Sequence, residues 1–232
     1  KSKEHIKTKQ ILLHMTQILW HSWIKSQHGN EKRVQKYHQE FQNSTPFKHI
    51  QITNFLTPKF LDLIKKKLLH VPWEEKDSDL FSLHQTPELQ SITEISLIQD
   101  LATLLKGDKF QNWMTRITNI KLNQEIDLSA VTYAKHGYLL PHDDRLEGRK
   151  IAFILYLTSL KKKEGGTLDL FNTKENPNTS SKQELVPTTI AKSFIPKENS
   201  LLFFEVSEKS WHQISEISKD CRRVTIGGWL HG

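Results

Sequence analysis

Apolar positions recur at helical spacing near the start of the chain. Over residues 8–24, TKQILLHMTQILWHSWI sets Ile11, Leu12, Met15, Ile18, Leu19 and Trp23 on one stripe, which predicts an amphipathic helix with a docking face. The polar stretch after it, KSQHGNEKRVQKYHQEFQNSTP, contains Gly29 and Asn30 and predicts a linker or an exposed helix. Residues 1–44 are therefore expected to be an extension and 45–232 the compact domain. In FLTPKFLDLIKKKLLHV, Thr57 caps a helix with Pro58 at its first position, and Phe60, Leu61, Ile64 and Leu68 face inward. A further helical region, SLIQDLATLL followed by DKFQNWMTRI, covers about 96–117.

After about Glu125 the period changes to short β-rich runs between turn residues: IDLSAVTYA, YLLPH, KIAFILYLTS, GTLDLFN, TTIAKSFIP, SLLFFEV, HQISEI and RRVTIGGWL. Strands at such spacing predict an antiparallel sandwich or barrel over about 125–230, with a jelly roll among the leading candidates. Helices first and strands later predict an α+β fold rather than βαβ units.

Composition changes this picture little. With 232 residues, 25% charged and 36% apolar, the chain suits one domain with a real core. A net charge of +7 favours acidic or RNA-rich surroundings, yet the lysine clusters at 65–67 and 161–163 lack interleaved aromatics, so no nucleic-acid platform is expected. The single cysteine, Cys221, excludes an internal disulfide and a cysteine zinc site, and fits a reducing compartment. No apolar run reaches the roughly 20 residues of a membrane span, and no secretory signal pattern is present. Lys1 in place of Met suggests a fragment.

The candidate chemistry lies in GYLLPHDDRLEGRKIAFILYLTS. On an extended segment His142 and Asp144 share a face and Asp143 points away. Imidazole and carboxylate are two members of the two-histidine, one-carboxylate set that holds Fe(II) with open positions. His212, which opens a late strand after an apolar one, is the best-placed third ligand, since a jelly roll brings its second and seventh strands together. His136 and His231 are expected to be ordinary polar histidines. In CRRVTIGGWL, period two sorts Arg223, Thr225 and Gly227 from Arg222, Val224 and Ile226. If the apolar set packs under helices, Arg223 enters the barrel and requires an anion. Tyr156 shares a face with Ala152 and Ile154, and its inward hydroxyl needs a partner that the same anion can supply. Taken singly, these are a solvated turn, a core histidine, a surface arginine and a core tyrosine. In this order and on these strands, all four ordinary explanations would have to hold together.

The pattern H-x-D, a distal His and an Arg eleven residues beyond it resembles the Fe(II)- and 2-oxoglutarate-dependent oxygenases. HDDRLEGRKIAFILYLTS, GGTLDLFN, SLLFFEVSEKSWHQISEI and RRVTIGGWLHG resemble, more closely, the eukaryotic ribosomal prolyl hydroxylases, from about Thr45 to the end. The resemblance implies a double-stranded β-helix (a cupin-like jelly roll), with His142, Asp144 and His212 as iron ligands. It implies Arg223 with Tyr156 as the clamp on the distal carboxylate of 2-oxoglutarate, Arg222 being the neighbouring alternative. A further cosubstrate-contacting position falls to Tyr133, His136 or Tyr138. It implies O2 as second cosubstrate, ascorbate as a supporting reductant, and oxidative decarboxylation to succinate coupled to C3 hydroxylation of a proline. The implied substrate is a small-subunit ribosomal protein at the decoding centre, in cytoplasm or nucleus. A second, non-catalytic β-helix domain would follow GWLHG. Asp143 and Glu147 are candidates for supporting contacts, and Gly165 with Gly166 for close approach of a substrate backbone or for a plain hairpin turn. Alternatives are the same oxygenase acting on another protein or nucleic acid, and a catalytically silent binding module.

Overall fold

The computed structural model describes residues 2–176 and 184–232. Five helices form one layer: α1 (Ser2–Trp23), α2 (Glu31–Gln42), α3 (Pro58–Leu68), α4 (Ser96–Lys106) and α5 (Asp108–Thr118). Thr57 stands at the N-cap position of α3 in an extended conformation, but its hydroxyl donates to Ser22 O rather than capping the helix, and Phe60, Leu61, Ile64 and Leu68 are buried as their spacing predicts. α5 stops at Asn119, whose left-handed φ of 61° ends the helix with its N–H donating to Thr115 O.

The docking face of α1 differs from the one expected. Ile11, Leu12, Met15 and Ile18 are exposed, while Thr16, Trp20 and Ile24 are buried, and Trp23 stacks on Phe60 with centroids 3.6 Å apart. The reason is rotational: the helix presents the face with the two tryptophans, which bury more area than the aliphatic stripe. The core crosses the boundary expected near Thr45, because Val34, Tyr37 and Phe41 of α2 join the same cluster as Ile50 and Phe203. His28 ties this region together. Its ring accepts from Tyr37 Oη at 2.8 Å and donates to Asn54 O at 3.0 Å, and Trp113 Nε1 donates to its carbonyl at 2.7 Å.

The eight strands expected after residue 125 are present: β4 (Ile126–Tyr133), β5 (Tyr138–His142), β6 (Arg149–Tyr156), β7 (Leu168–Glu175), β8 (Leu185–Phe194), β9 (Ser200–Glu205), β10 (His212–Ile214) and β11 (Arg223–His231). Helices do not, however, have the first half to themselves. β1 (His49–Thr53), β2 (Glu74–Ser78) and β3 (Phe81–Gln85) belong to the same sheet. β2, EEKDS, has no apolar alternation, so only its pairing with β3 makes it a strand.

The antiparallel sheet runs β1-β9-β6-β11-β4-β3-β5-β10-β7-β8, with β2 attached to β3. It curls until its edges meet, where Lys192 of β8 donates to His49 Nε2 of β1 at 2.9 Å. The period of two then divides the central strands between two cores. Phe153, Leu155, Phe203, Leu128 and Ile226 pack under the helices, while Ala152, Tyr156, Leu202, Phe204 and Tyr133 line the interior of the curl. The result is a curled half-barrel with helices, in the α+β class that the order of apolar periods predicts.

Two outcomes are expected. Phe41 is fully buried and lies 5.8 Å from the Phe203 ring, so Phe41→Ala should cost about 3–5 kcal/mol in urea unfolding. A cost below about 0.5 kcal/mol would mean that α2 is a surface appendage. Burial holds the His49 pKa down to about 4 from 6.5. Its Nδ1–H donates to Phe47 O at 2.7 Å, and the ring stays neutral. As pH falls from 6.5 toward 4 the unfolded chain takes the proton first, so stability is lost in that window, by at most about 1.4 kcal/mol per pH unit for this group. His49→Gln should show a shallower acid limb than the parent; an unchanged slope in urea titrations would exclude this origin.

Candidate active site

His142 ends β5 and His212 opens β10, and the two are direct register partners across the antiparallel pair. Their ring centroids are 4.2 Å apart. The ring of Phe204 packs edge-on to His212 at 4.7 Å from inside the curl. Each imidazole donates from Nδ1 to a backbone carbonyl two residues earlier, His142 to Leu140 O at 2.8 Å and His212 to Ser210 O at 2.7 Å. Those bonds orient both rings and bring both Nε2 atoms to Asp144.

Asp144 reaches this point by a route that strand alternation does not describe. β5 ends at His142, and Asp144 has a left-handed φ of 63°. Its placement comes from the loop. Asp143 points away and takes the Arg145 side chain at 2.7 Å, and the Asp143 carbonyl accepts from Ser210 Oγ at 2.7 Å, lashing the loop to the turn before His212. Asp144 Oδ1 then lies 3.3 Å from His142 Nε2, and Oδ2 lies 3.3 Å from His212 Nε2. The three donor atoms all fall within 4.8 Å of one another.

The electrostatics follow from one carboxylate between two rings. Burial works to raise the Asp144 pKa, but the charge of His212, the hydrogen bond and charge of His142 and the nearby Trp229 indole outweigh it and hold it at about 2. Burial works to lower His142, yet its bond to and attraction by Asp144 carry it above 6.5. His212 is deeper, and burial together with the charge of His142 pushes it down to about 4. An ionised carboxylate and two imidazoles with preset tautomers are a donor set that fits Fe(II).

Across the same cavity, on β11, Arg223 is 1% exposed. Its Nε and Nη2, and the Tyr156 hydroxyl, have no hydrogen-bond partner among the described residues. The guanidinium carbon is 5.2 Å from the Tyr133 ring and 5.1 Å from the Tyr156 ring. Burial raises both tyrosine pKa values, that of Tyr133 to about 12, so both hydroxyls remain donors. A cation and unpaired donors in a dry recess fit a carboxylate. Arg222 is exposed, as parity predicts. Gly166 serves the recess directly, since a Cβ there would lie 3.3 Å from Arg223 Cδ and 2.5 Å from Ile217 Cδ1. The paired glycines thus pack internally rather than along an open substrate path.

Of the three positions left open, Tyr133 is the one that lines the cavity. It faces Arg223 across β4 and β11. Tyr138 points outward to Ser78 O, and exposed His136 pairs with Glu216. The signal was available: Leu128 and Ala130 mark the helix-facing side of β4, so Ser129, Val131 and Tyr133 face inward. Glu147 is exposed. Trp229, Ser129, Gln85 and Leu83 also line the cavity and were not singled out in the sequence, Gln85 and Leu83 because β3 itself was not expected.

Residues 128–231 match the 2OG-Fe(II) oxygenase superfamily. The chain is 40% identical over 193 residues to the prolyl 3-hydroxylase OGFOD1 of Xenopus laevis, covering 82% of this chain and 36% of that protein. It is 42% identical over 190 residues to the mouse protein of that name, covering 81% and 33%. The chain thus spans about a third of these relatives. Among solved structures, a Pseudomonas putida prolyl-4-hydroxylase superposes with a TM-score of 0.60 at 12% identity, covering 84% of this chain and 98% of that one. A Trichoplax adhaerens prolyl hydroxylase in complex with a hypoxia inducible factor peptide gives 0.60 at 15%, covering 87% and 93%. These likenesses confirm the jelly-roll core.

Asp144→Ala and His212→Ala should each weaken anaerobic Fe(II) binding by more than the roughly 10–100-fold that outer contacts cost, with circular dichroism unchanged. Parent-like affinity in either variant would remove that residue from the ligand set.

Proposed function

We propose that this chain, whose residues 128–231 match the 2OG-Fe(II) oxygenase superfamily, catalyses hydroxylation of a prolyl side chain at C3, coupled to conversion of 2-oxoglutarate to succinate and CO2. Its proposed substrate is a decoding-centre proline of a small-subunit ribosomal protein, met in cytoplasm or nucleus. The observation that carries this reading is the pairing, in one cavity, of an open three-ligand set with an unpartnered buried guanidinium. Relatives named prolyl 3-hydroxylase at about 40% identity support the choice of proline C3.

When bound, Fe(II) with 2-oxoglutarate supplies activation of O2. The chain supplies the rest. His142, Asp144 and His212 would hold the metal from one side and leave the other open. Arg223 would bind the far carboxylate of 2-oxoglutarate, with the Tyr156 and Tyr133 hydroxyls donating to it, and that grip sets which end of the molecule faces the metal. Leu168, Leu139, Ile214 and Phe204 give the cavity apolar walls. Among the described residues no helix is long and apolar enough to cross a membrane.

The test is mass spectrometry of a decoding-centre ribosomal-protein peptide incubated with the chain, Fe(II) and 2-oxoglutarate, first without and then with O2, while succinate is followed. The expected result is the gain of one oxygen on proline, dependent on O2 and on His212. Succinate without peptide oxidation would discard the substrate, and neither product despite bound iron would favour a silent binding module. Arg223→Met should raise the 2-oxoglutarate requirement at least about 30-fold, the equivalent of about 2 kcal/mol for breaking a buried charge pair.

A further inference from the structure

One wall of the cavity is an aromatic ring with a cation pressed on its back. Trp229 lies on β11 between Asp127 of β4 and Ala152 of β6, and lines the cavity together with Asp144. Its indole N–H is buried and has no acceptor in bonding geometry among the described residues. The Asp144 carboxylate is an anion that lines the same cavity.

The other side of the ring is held. Arg149 Cζ sits 3.4 Å from the indole centroid, the distance of a stacked guanidinium. Arg149 Nε is 3.5 Å from Asp127 Oδ2, and the same oxygen is 3.1 Å from His231 Nε2. His231, Asp127, Arg149 and Trp229 therefore form a line of contacts from the surface to the wall of the cavity that Asp144 also lines. No residue in that line is one of the three candidate ligands.

Asp144 has particular need of such support. It lies beyond the end of β5 on a left-handed backbone, so no strand ladder orients its side chain. At present its two oxygens are divided between the two imidazoles at 3.3 Å each. To ligate a metal through one oxygen it must turn, and the second oxygen then needs a donor. The Trp229 N–H is a buried donor on that wall without another use, and a cation over the ring face draws density from the indole and strengthens it.

We propose that Trp229 is a positioning residue for Asp144: its indole N–H takes the carboxylate oxygen that the metal does not use, and Arg149, anchored by Asp127, fixes the ring. This rests on the metal-centre reading above. Loss of such outer contacts weakens metal binding about 10–100-fold.

The experiment is titration of the full chain with Co(II), a spectroscopic probe, recording affinity and the ligand-field spectrum beside the melting temperature. Trp229→Phe keeps a ring for Arg149 and removes the N–H; it should lose about tenfold in affinity and shift the spectrum. Arg149→Met should lose less, Arg149→Lys should regain part of that loss, and Arg149→Met should add nothing on top of Trp229→Phe. Parent affinity and spectrum in Trp229→Phe would overturn the proposal. If that variant fails to fold, parent-like binding by Arg149→Met would overturn it alone. A parent that binds no Co(II), or a His212→Ala variant that binds it equally well, would instead remove the metal centre and this inference with it.

Discussion

A guanidinium buried without a protein partner is the constraint on which the rest of this structure turns. Arg223 is almost wholly enclosed, and two of its three nitrogens are unpaired among the described residues. An uncompensated charge in that setting is too unfavourable to be incidental. Its surroundings all bear on the same charge: two tyrosine rings alongside, their hydroxyls kept protonated by burial, and a glycine where a Cβ would crowd its stem. The sheet has to curl for this to happen, because a flat sheet would leave Arg223 and Tyr156 open to solvent on one face.

The other end of the cavity solves the complementary problem. There one carboxylate is shared by two imidazoles whose tautomers are already set by backbone carbonyls. The ligand atoms converge because β5 and β10 pair in register at His142 and His212, and because Ser210 ties down the loop that carries Asp144. Cationic recess and anionic metal site thus lie on opposite walls of one interior. That separation is what the proposed cosubstrate, with a carboxylate at each end, would require.

Much of this was legible along the chain, and where it was not the reasons are physical. Period two on β11 correctly sends Arg223 inward and Arg222 outward, because Val224 and Ile226 reveal which side the helices occupy. The same reading of β4 would have chosen Tyr133 over Tyr138. For Asp144 the premise failed although the neighbours came out together: the alternation rule assumes an extended backbone, and this residue is left-handed. The α1 stripe misled because apolar spacing reports that a helix is amphipathic, not which arc of it meets the core. The polar strand β2 left no trace, since its order is conferred by β3 rather than by its own side chains.

The amino-acid sequence by itself determined the α+β order, the eight late strands, the residue types of a metal set and the inward arginine, all of them consequences of local periodicity and side-chain chemistry. Only the tertiary structure decided that α2 belongs to the core, that Tyr133 pairs in register with Arg223, that β3 contributes Leu83 and Gln85 to the cavity, and that Arg149 stacks on Trp229 in the cavity wall. Those facts depend on register between strands far apart in the chain and on the direction in which a sheet curls. Neither quantity is written in the spacing of any one segment, because pairing energy is shared between two segments and burial is assigned only when the layers close.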